Sequence, residues 1–255
     1  MSDYEIRALE TKKNKIPLLG VQKVGILPKT NTTSIIIGRT GSGKSQLLLN
    51  LMTRSEFFGK SKKYPKGYFN QIHVFSPTAK SDDIYENLEL GDEFLHTKLS
   101  TSELGTIMEK QKKDVTEKGS DKADRVCIIF DDILGNIKFL NSHEFSETII
   151  ANRHYNFTVF ILTQSYKHIP RKVRNQARYL FYFAGSENEN MILAEDIAPP
   201  RFTKKETVEL IHFATEDKFS FIYINTSETD KSKAYRKNLT RIIDIYNQDF
   251  DDEEE

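Results

Sequence analysis

The 255-residue chain is poor in several features, and each shortage excludes a class of protein. It has a single cysteine, Cys127, which excludes an internal disulfide and a cysteine-based zinc site. No apolar run approaches the roughly 18 residues that a membrane-spanning helix needs. The first ten residues, MSDYEIRALE, also lack the apolar stretch of a signal peptide. We therefore expect neither a membrane-spanning nor a secreted protein.

The chain also lacks any excess of charge, because 37 basic residues balance 37 acidic ones. Net charge thus gives no argument for nucleic-acid binding, which must be sought in how the charges are distributed. The mean hydropathy of −0.54 is polar, but an aromatic content of 11% is too high for a disordered chain. The composition therefore indicates a folded protein, and its length favours one large domain.

Composition shifts along the chain predict three regions. Residues 1–30 are polar and lysine-rich, and we expect an N-terminal arm there. Residues 31–245 contain the apolar runs and predict a single folded domain. Residues 246–255 form an acidic tail, for which we expect disorder.

Short apolar runs alternate with helix-like segments through the central region. Helices are predicted over 44–53, from 81 onward and over 143–154, whereas the highly charged stretch 109–125 predicts a solvated helix end or mobile loop. Five buried strands are predicted at 34–37, 71–75, 126–130, 158–162 and 179–183, and a late strand at 220–224 in the sheet or at its edge. Parallel strands need crossover connections, so this alternation predicts an α/β fold with a mainly parallel central sheet flanked by helices.

A glycine-rich stretch between the first strand and the first helix, GRTGSGKS, fits the pattern G-x-x-x-x-G-K-[ST] at every fixed position. Glycines let the backbone turn its N–H groups toward phosphate oxygens, and the following helix adds its positive N-terminal end. Lys44 can place a full charge on the β- and γ-phosphates, and the Ser45 hydroxyl can ligate Mg²⁺. The predicted nucleotide site (Walker A) comprises Gly38, Arg39, Thr40, Gly41, Ser42, Gly43, Lys44, Ser45 and Gln46.

Two carboxylates, Asp131 and Asp132, follow the third predicted strand directly, in the position of a Walker B motif. Ligands of α/β sheets bind at the carboxyl ends of the strands. Asp131 can there hold Mg²⁺, and a second acid beside it can orient and deprotonate an attacking water. The alternative is an acidic turn after a strand. Together with the glycine-rich loop, the pair favours nucleotide hydrolysis.

Further polar candidates flank the fourth predicted strand. Gln164 ends that strand and is predicted to sense the γ-phosphate or position water, unless it is only a polar strand terminus. Arg153 precedes the strand, and we expect it to reach a neighbouring subunit's nucleotide, unless it is an ordinary surface arginine. Arg174 and Arg178 are rivals for that role.

One segment after the fourth strand has a local excess of positive charge. Between residues 165 and 183 there is no acidic residue, and tyrosine and histidine are interleaved with basic side chains, which suits contact with nucleic-acid phosphates. A lysine-rich loop at 59–67 is a second candidate, and a solvated surface is the alternative for both. The histidines show no metal-ligand spacing, so no metal beyond Mg²⁺ is expected. The basic residues of the segment are Lys167, Arg171, Lys172, Arg174 and Arg178.

Taken together, IIIGRTGSGKS, VCIIFDD and NRHYNFTVFILTQS resemble the FtsK–HerA superfamily of P-loop NTPases, which have the RecA-like (ASCE) fold. Within it, the chain looks most similar to the DNA-packaging ATPases of poxviruses, other large DNA viruses and virophages. The resemblance covers roughly residues 30–225 and implies that the fourth strand lies between the first and third. It implies that Lys44 and Ser45 bind ATP and Mg²⁺. It further implies that Asp131 is a metal ligand, that Asp132 is the catalytic base and that Gln164 is the sensor of the γ-phosphate. Arg153 would be the arginine that acts on the nucleotide of a neighbouring subunit. Many members have glutamate where this chain has Asp132.

The resemblance further implies an ATP-driven motor that translocates double-stranded viral DNA into a capsid. The implied partners are double-stranded DNA, a capsid or portal vertex protein, and further copies of the chain in a pentameric or hexameric ring. The implied location is the host cytoplasm, in a viral factory, or the virion. Two alternatives remain open: a P-loop ATPase that remodels protein or RNA, and a nucleotide-gated capsid assembly factor.

Overall fold

A computed structural model of the chain describes residues 28–245. The predicted acidic tail lies wholly outside these residues, and the predicted N-terminal arm lies almost wholly outside them. Within the described part, none of the helices is both long and apolar enough to cross a membrane.

A single sheet organises the described residues, with the spatial order β3-β2-β4-β5-β1-β6-β7-β8-β9. The six strands from β3 to β6 in this order run parallel, and β7, β8 and β9 continue the sheet antiparallel. β5 lies between β1 and β4, as the family resemblance implied, and the predicted α/β fold is confirmed. The strands are β1 Thr33–Ile37, β2 Gln71–Phe75, β3 Leu95–His96, β4 Val126–Asp131, β5 Phe157–Thr163, β6 Ala177–Phe183, β7 Phe221–Asn225, β8 Tyr235–Lys237 and β9 Arg241–Ile242.

Helices connect the strands and cover both faces of the sheet. Several begin at a side chain that accepts a hydrogen bond from the first turn, such as Ser142 before α5 and Thr203, which forms a capping box with Glu206 before α8. The helices are α1 Lys44–Thr53, α2 Asp83–Glu86, α3 Thr101–Lys118, α4 Ile137–Leu140, α5 His143–Ile150, α6 Arg171–Arg174, α7 Glu187–Ile197 and α8 Lys204–Thr215, with 3₁₀ turns at Asp92–Phe94 and Lys231–Lys233.

Alternation along β1 shows how the two faces are filled. Ile36 packs in the apolar cluster that contains the leucines of α1, whereas Ile35 and Ile37 pack in the opposite cluster, which contains residues of α3, α5, α7 and α8. All five residues of β1 are buried. A strand covered on both faces reads as a continuous apolar run, which is why the parallel strands were visible in the sequence.

The structure differs from the sequence-based expectation mainly at short elements. β3, β8 and β9 have only two or three residues, too few to produce a periodic pattern. The charged stretch from residue 109 continues α3 as far as Lys118. Gln111 within it is buried, and its side-chain amide donates to the Asp124 carbonyl at 2.7 Å. The late strand, β7, lies inside the sheet between β6 and β8.

Candidate functional site

The loop between β1 and α1 is closely packed at its start and has a left-handed backbone at its end. A Cβ atom on Gly38 would stand 2.5 Å from Ser42 Oγ and 2.8 Å from Phe183 Cβ, so no other residue fits there without displacing its neighbours. Gly43 caps α1 with φ +106°, in the left-handed region that favours glycine. Both glycines therefore permit a tight turn that ends at the N-terminus of α1, where backbone N–H groups are free to bind an anion.

The loop also contains polar atoms that suit a phosphate ligand. Ser42 Oγ and Gln46 Nε2 are buried and have no hydrogen-bond partner within residues 28–245. Lys44 Nζ donates to the Arg39 carbonyl at 3.0 Å, so its side chain folds back over the loop. Unpaired buried donors beside an ammonium group and a helix N-terminus fit the phosphates of a nucleotide.

The two predicted carboxylates lie within electrostatic range of Lys44. Burial lowers the pKa of Lys44, and the charges of Asp131 and Asp132 partly oppose that change. Burial likewise raises the pKa of Asp131, against a hydrogen bond from Tyr85 and the charge of Lys44. These mutual effects place the lysine and both aspartates in one electrostatic site.

Asp131 and Asp132 occupy different environments, although they are neighbours in sequence. Asp131 is half-buried at the end of β4, where the hydroxyl of the buried Tyr85 donates to it at 2.5 Å. Asp132 is exposed and has φ +52°, a left-handed conformation that aspartate tolerates better than most residues. The first carboxylate is thus fixed by a buried partner, and the second faces solvent.

The donor set suits Mg²⁺ and not a metal held by protein side chains alone. No group of three or more histidine, cysteine, aspartate or glutamate side chains within residues 28–245 could hold a metal ion. Mg²⁺ is bound in nucleotide sites by one or two protein oxygens together with waters and phosphate oxygens. Asp131 and the Ser45 hydroxyl can supply such oxygens.

Two histidines that are distant in sequence are neighbours because β2 pairs with β3. His73 Nδ1 lies 3.1 Å from His96 Nε2, and His96 Nδ1 lies 3.1 Å from Glu103 Oε2. Burial lowers the pKa of His73 to about 4. The pair forms a structural hydrogen-bonded chain at the sheet edge.

Gln164 lies beside the glycine-rich loop. The Gly38 N–H donates to the carbonyl of Thr163 at 3.0 Å, which joins the start of the loop to the end of β5. Gln164 is exposed and lines a cavity of about 160 Å³ together with Gly38, Arg39 and Glu189. The structure therefore brings this predicted site residue to the loop.

The backbone that follows Gln164 is held by a single carboxylate from α7. Glu189 accepts hydrogen bonds from Ser165 Oγ at 2.6 Å, from the Tyr166 N–H at 2.8 Å and from the Lys167 N–H at 3.3 Å. One side chain thus fixes three consecutive residues between the cavity and the basic segment.

The same connection continues into α6. The Tyr166 hydroxyl donates to Asp196 at 3.0 Å, and Arg174 pairs with Asp196 at 2.8 Å. The Arg174 guanidinium also lies 4.9 Å from the centre of the Tyr166 ring. Contacts therefore run from the residues directly after Gln164 to the basic segment, and Arg174 takes part in them within its own chain.

Arg153 lies at the other end of the sheet. The side-chain amide of its neighbour Asn152 donates to Thr33 Oγ1 at 3.0 Å, at the first residue of β1, whereas the glycine-rich loop follows the last. Arg153 is exposed and shares a cavity of about 240 Å³ with Arg178. The structure does not bring Arg153 to the loop of its own chain.

Two residues of the site, Tyr85 and Glu189, have no signal in the sequence that reveals their role. Tyr85 belongs to a short helix far from Asp131 in the chain. Glu189 follows Ser186 in an S-x-x-E pattern that predicts a capping box. Ser186 does accept from the Glu189 N–H at 3.3 Å, but the Glu189 carboxylate contacts residues 165–167.

A glycine-rich loop between β1 and α1, a carboxylate at the end of β4 and a parallel sheet with β5 between them define a P-loop NTPase fold. The fold is similar to that of B204, the DNA-packaging ATPase from Sulfolobus Turreted Icosahedral Virus, with a TM-score of 0.53 and 15% identity over 77% of this chain and 93% of that one. It is also similar to the genome packaging NTPase B204 from Sulfolobus turreted icosahedral virus 2 in complex with sulfate, with a TM-score of 0.53 and 19% identity over 78% and 94% of the two chains.

The family described as Poxvirus A32 protein matches residues 25–237, and the chain belongs to this family. The resemblance to the poxvirus proteins that the motifs indicated is thereby confirmed. No curated protein sequence matches the chain.

Proposed function

We propose that this protein is a genome-packaging ATPase, an ATP-driven motor that moves double-stranded viral DNA into a capsid. Membership of the poxvirus A32 family and the fold shared with a viral DNA-packaging ATPase support this function. The observation that carries it is the joint site of Lys44, Asp131 and Asp132 next to the cavity lined by Gln164.

The proposed chemistry is hydrolysis of the γ-phosphate. The loop N–H groups and Lys44 bind the β- and γ-phosphates, and Asp132 orients and deprotonates the attacking water. Ser45 and Asp131 hold Mg²⁺, which when bound neutralises charge on the phosphate oxygens. The solvent-facing position of Asp132 suits a base, whereas the fixed, half-buried Asp131 suits a metal ligand.

Catalysis is proposed to need a second subunit. Arg153 is separated from the loop of its own chain by the length of β1, about 13 Å at the usual rise of a strand. It can therefore stabilise transition-state charge only on the nucleotide of a neighbour, as a ring of five or six subunits would allow. Arg178, in the same cavity, is the remaining rival, because Arg174 is engaged by Asp196.

Gln164 and the basic segment are proposed to couple hydrolysis to DNA. Lys167, Arg171 and Lys172 are exposed and suit contacts with DNA phosphates. A change at the γ-phosphate would reach them through Gln164 and the residues held by Glu189. The further proposed partner is a capsid or portal vertex protein, and the proposed location is the host cytoplasm or the virion.

Steady-state ATP hydrolysis with and without linear duplex DNA, at low and moderate salt, tests this function. We expect strong stimulation by DNA that weakens with salt and is absent from Asp132→Asn, because asparagine tolerates the left-handed conformation but cannot act as a base. Asp92→Asn, which alters only an exposed ion pair with Lys80, is the matched control.

Three outcomes would contradict parts of the proposal. Hydrolysis retained in Lys44→Ala would refute the assigned site. Stimulation by RNA or a protein and not by duplex DNA would indicate a remodelling ATPase. Oligomerisation that depends on nucleotide, without turnover that depends on DNA, would indicate a capsid assembly factor.

A further inference from the structure

Phe219 is an exposed aromatic residue in an unusual backbone conformation. Its side chain is 57% exposed, and its φ is +66°. It lies in the turn before β7 that is closed by a hydrogen bond from the Ser220 N–H to the Asp217 carbonyl at 3.0 Å. The third position of such a turn, when φ is positive, favours glycine or asparagine.

The fold does not account for phenylalanine at this position. A bulky side chain in the left-handed region strains the backbone, and an exposed ring regains little by burial. Strained residues of this kind cluster at ligand sites, where the surrounding structure maintains them for function.

Phe219 stands beside the phosphate loop. Its Cδ1 atom would lie 3.6 Å from a Cβ atom on Gly43, the residue that caps α1. Phe183, at the end of β6, lies equally close to that position, at 3.5 Å. The rings of Phe183 and Phe221 pack at 5.1 Å between centroids. The exposed ring of Phe219 and the buried ring of Phe183 thus both approach Gly43, the residue before Lys44.

We propose that Phe219 is the stacking platform for the purine base of the bound nucleotide. This inference rests on the proposed function, because it requires the triphosphate to lie on the loop. A base that extends from phosphates held at the N-terminus of α1 has the ring of Phe219 beside it. Stacking on an aromatic side chain removes the apolar face of the base from water.

The chemistry of the ring also determines which nucleotide bases the site can distinguish. Phenylalanine has no hydrogen-bonding atom, so this contact selects a large planar base over a small one and does not separate adenine from guanine. Lys218, whose Nζ lies 4.9 Å from the centre of the Phe219 ring, covers part of the ring surface. The base would displace this exposed lysine from the ring.

The absence of tryptophan from the chain makes a direct test possible. In Phe219→Trp, the new indole is the only one in the protein, and a stacked base quenches its fluorescence. We expect quenching by ADP and GDP, weaker quenching by CDP, and none by pyrophosphate. Ile242→Trp, on the exposed edge strand β9, is the control and should not respond to any of them.

A second pair of measurements separates stacking from a structural role. We expect Phe219→Gly to weaken ADP binding about tenfold in calorimetry and to leave pyrophosphate binding unchanged. The same variant should unfold at an equal or higher temperature, because glycine adopts positive φ without strain. A residue needed only for folding would instead lower the unfolding temperature.

The outcomes separate this inference from the proposed function. ADP binding by Phe219→Gly at wild-type affinity, or ADP binding by Phe219→Trp without quenching, would overturn the stacking role and leave the phosphate site intact. If the unaltered protein binds neither ADP nor pyrophosphate, the proposed function is overturned together with the stacking role.

Discussion

Glu189 offers the sharpest test of the proposed coupling between the nucleotide site and the basic segment. Its carboxylate accepts the three hydrogen bonds that fix Ser165, Tyr166 and Lys167, directly after Gln164. In Glu189→Gln, the amide oxygen can keep the two backbone N–H donors, and the Ser165 hydroxyl can reverse its role and accept from the amide nitrogen. The substitution therefore removes the negative charge and preserves the shape.

The magnitude follows from the loss of that charge. Hydrogen bonds to an ionised acceptor are about twice as strong as neutral ones, and Glu189 is partly exposed, so we estimate a loss of about 1–2 kcal/mol. Such a loss changes the population of the ordered arrangement by a factor of about 5–30. If DNA stimulation requires the ordered arrangement, DNA-stimulated turnover should fall by about that factor, and basal turnover should fall much less.

The assay compares ATP turnover at saturating ATP, with and without duplex DNA, in Glu189→Gln and in Glu187→Gln. Glu187 belongs to the same helix, and the ion pair that it makes within residues 28–245 is with the exposed His212, at 3.3 Å, so its substitution should leave both rates unchanged. Equal loss of basal and stimulated turnover in Glu189→Gln would show that Glu189 supports the site itself. Unchanged stimulation would refute the coupling role of the network.

Three further predictions concern other parts of the structure. Tyr85→Phe removes the 2.5 Å hydrogen bond to Asp131, so the Mg²⁺ concentration needed for half-maximal turnover should rise about tenfold, as for other residues that orient a metal ligand, while tripolyphosphate binding without Mg²⁺ stays unchanged. Burial lowers the pKa of His73 from 6.5 to about 4, so the unfolded chain binds a proton there that the folded chain does not. Its contribution to the free energy of unfolding is therefore complete above pH 6.5 and falls by about 3 kcal/mol toward pH 4, and urea denaturation of His73→Gln should show a smaller loss over that range. Arg153→Ala should abolish turnover and leave the unfolding temperature unchanged, and turnover should return in mixed rings with Lys44→Ala subunits. Arg174→Ala should instead lower the unfolding temperature.

The local motifs and the parallel strands were predictable from the sequence because each is written in consecutive residues. Buried strands such as β4 are continuous apolar runs, and the glycine-rich loop is a fixed pattern of eight residues followed by a helix. The carboxyl ends of β1, β4 and β5 meet at one edge of the sheet, so Lys44, Asp131 and Gln164 could be placed together without coordinates.

Contacts between distant parts of the chain were not predictable in this way. Tyr85 and Asp131 are 46 positions apart, and Ser165 and Glu189 are 24 apart. Neither pair belongs to a pattern with a fixed spacing, because each depends on how a short helix packs against the sheet. The S-x-x-E pattern at Ser186 predicts that the Glu189 side chain caps its own helix. In the structure, tertiary packing instead brings the Glu189 carboxylate to residues 165–167.

Three residues that belong to no sequence motif each lie next to the motifs in the structure. Tyr85 comes from the connection after β2, Glu189 from the helix after β6, and Phe219 from the turn before β7, and each contacts a residue of the motifs or the backbone that follows one. Phosphate binding by Lys44 would therefore stabilise elements from four separate parts of the chain at once. A nucleotide that lacks its γ-phosphate keeps only its β-phosphate beside Lys44, and under the proposed function the network through Glu189 would carry that change to the basic segment.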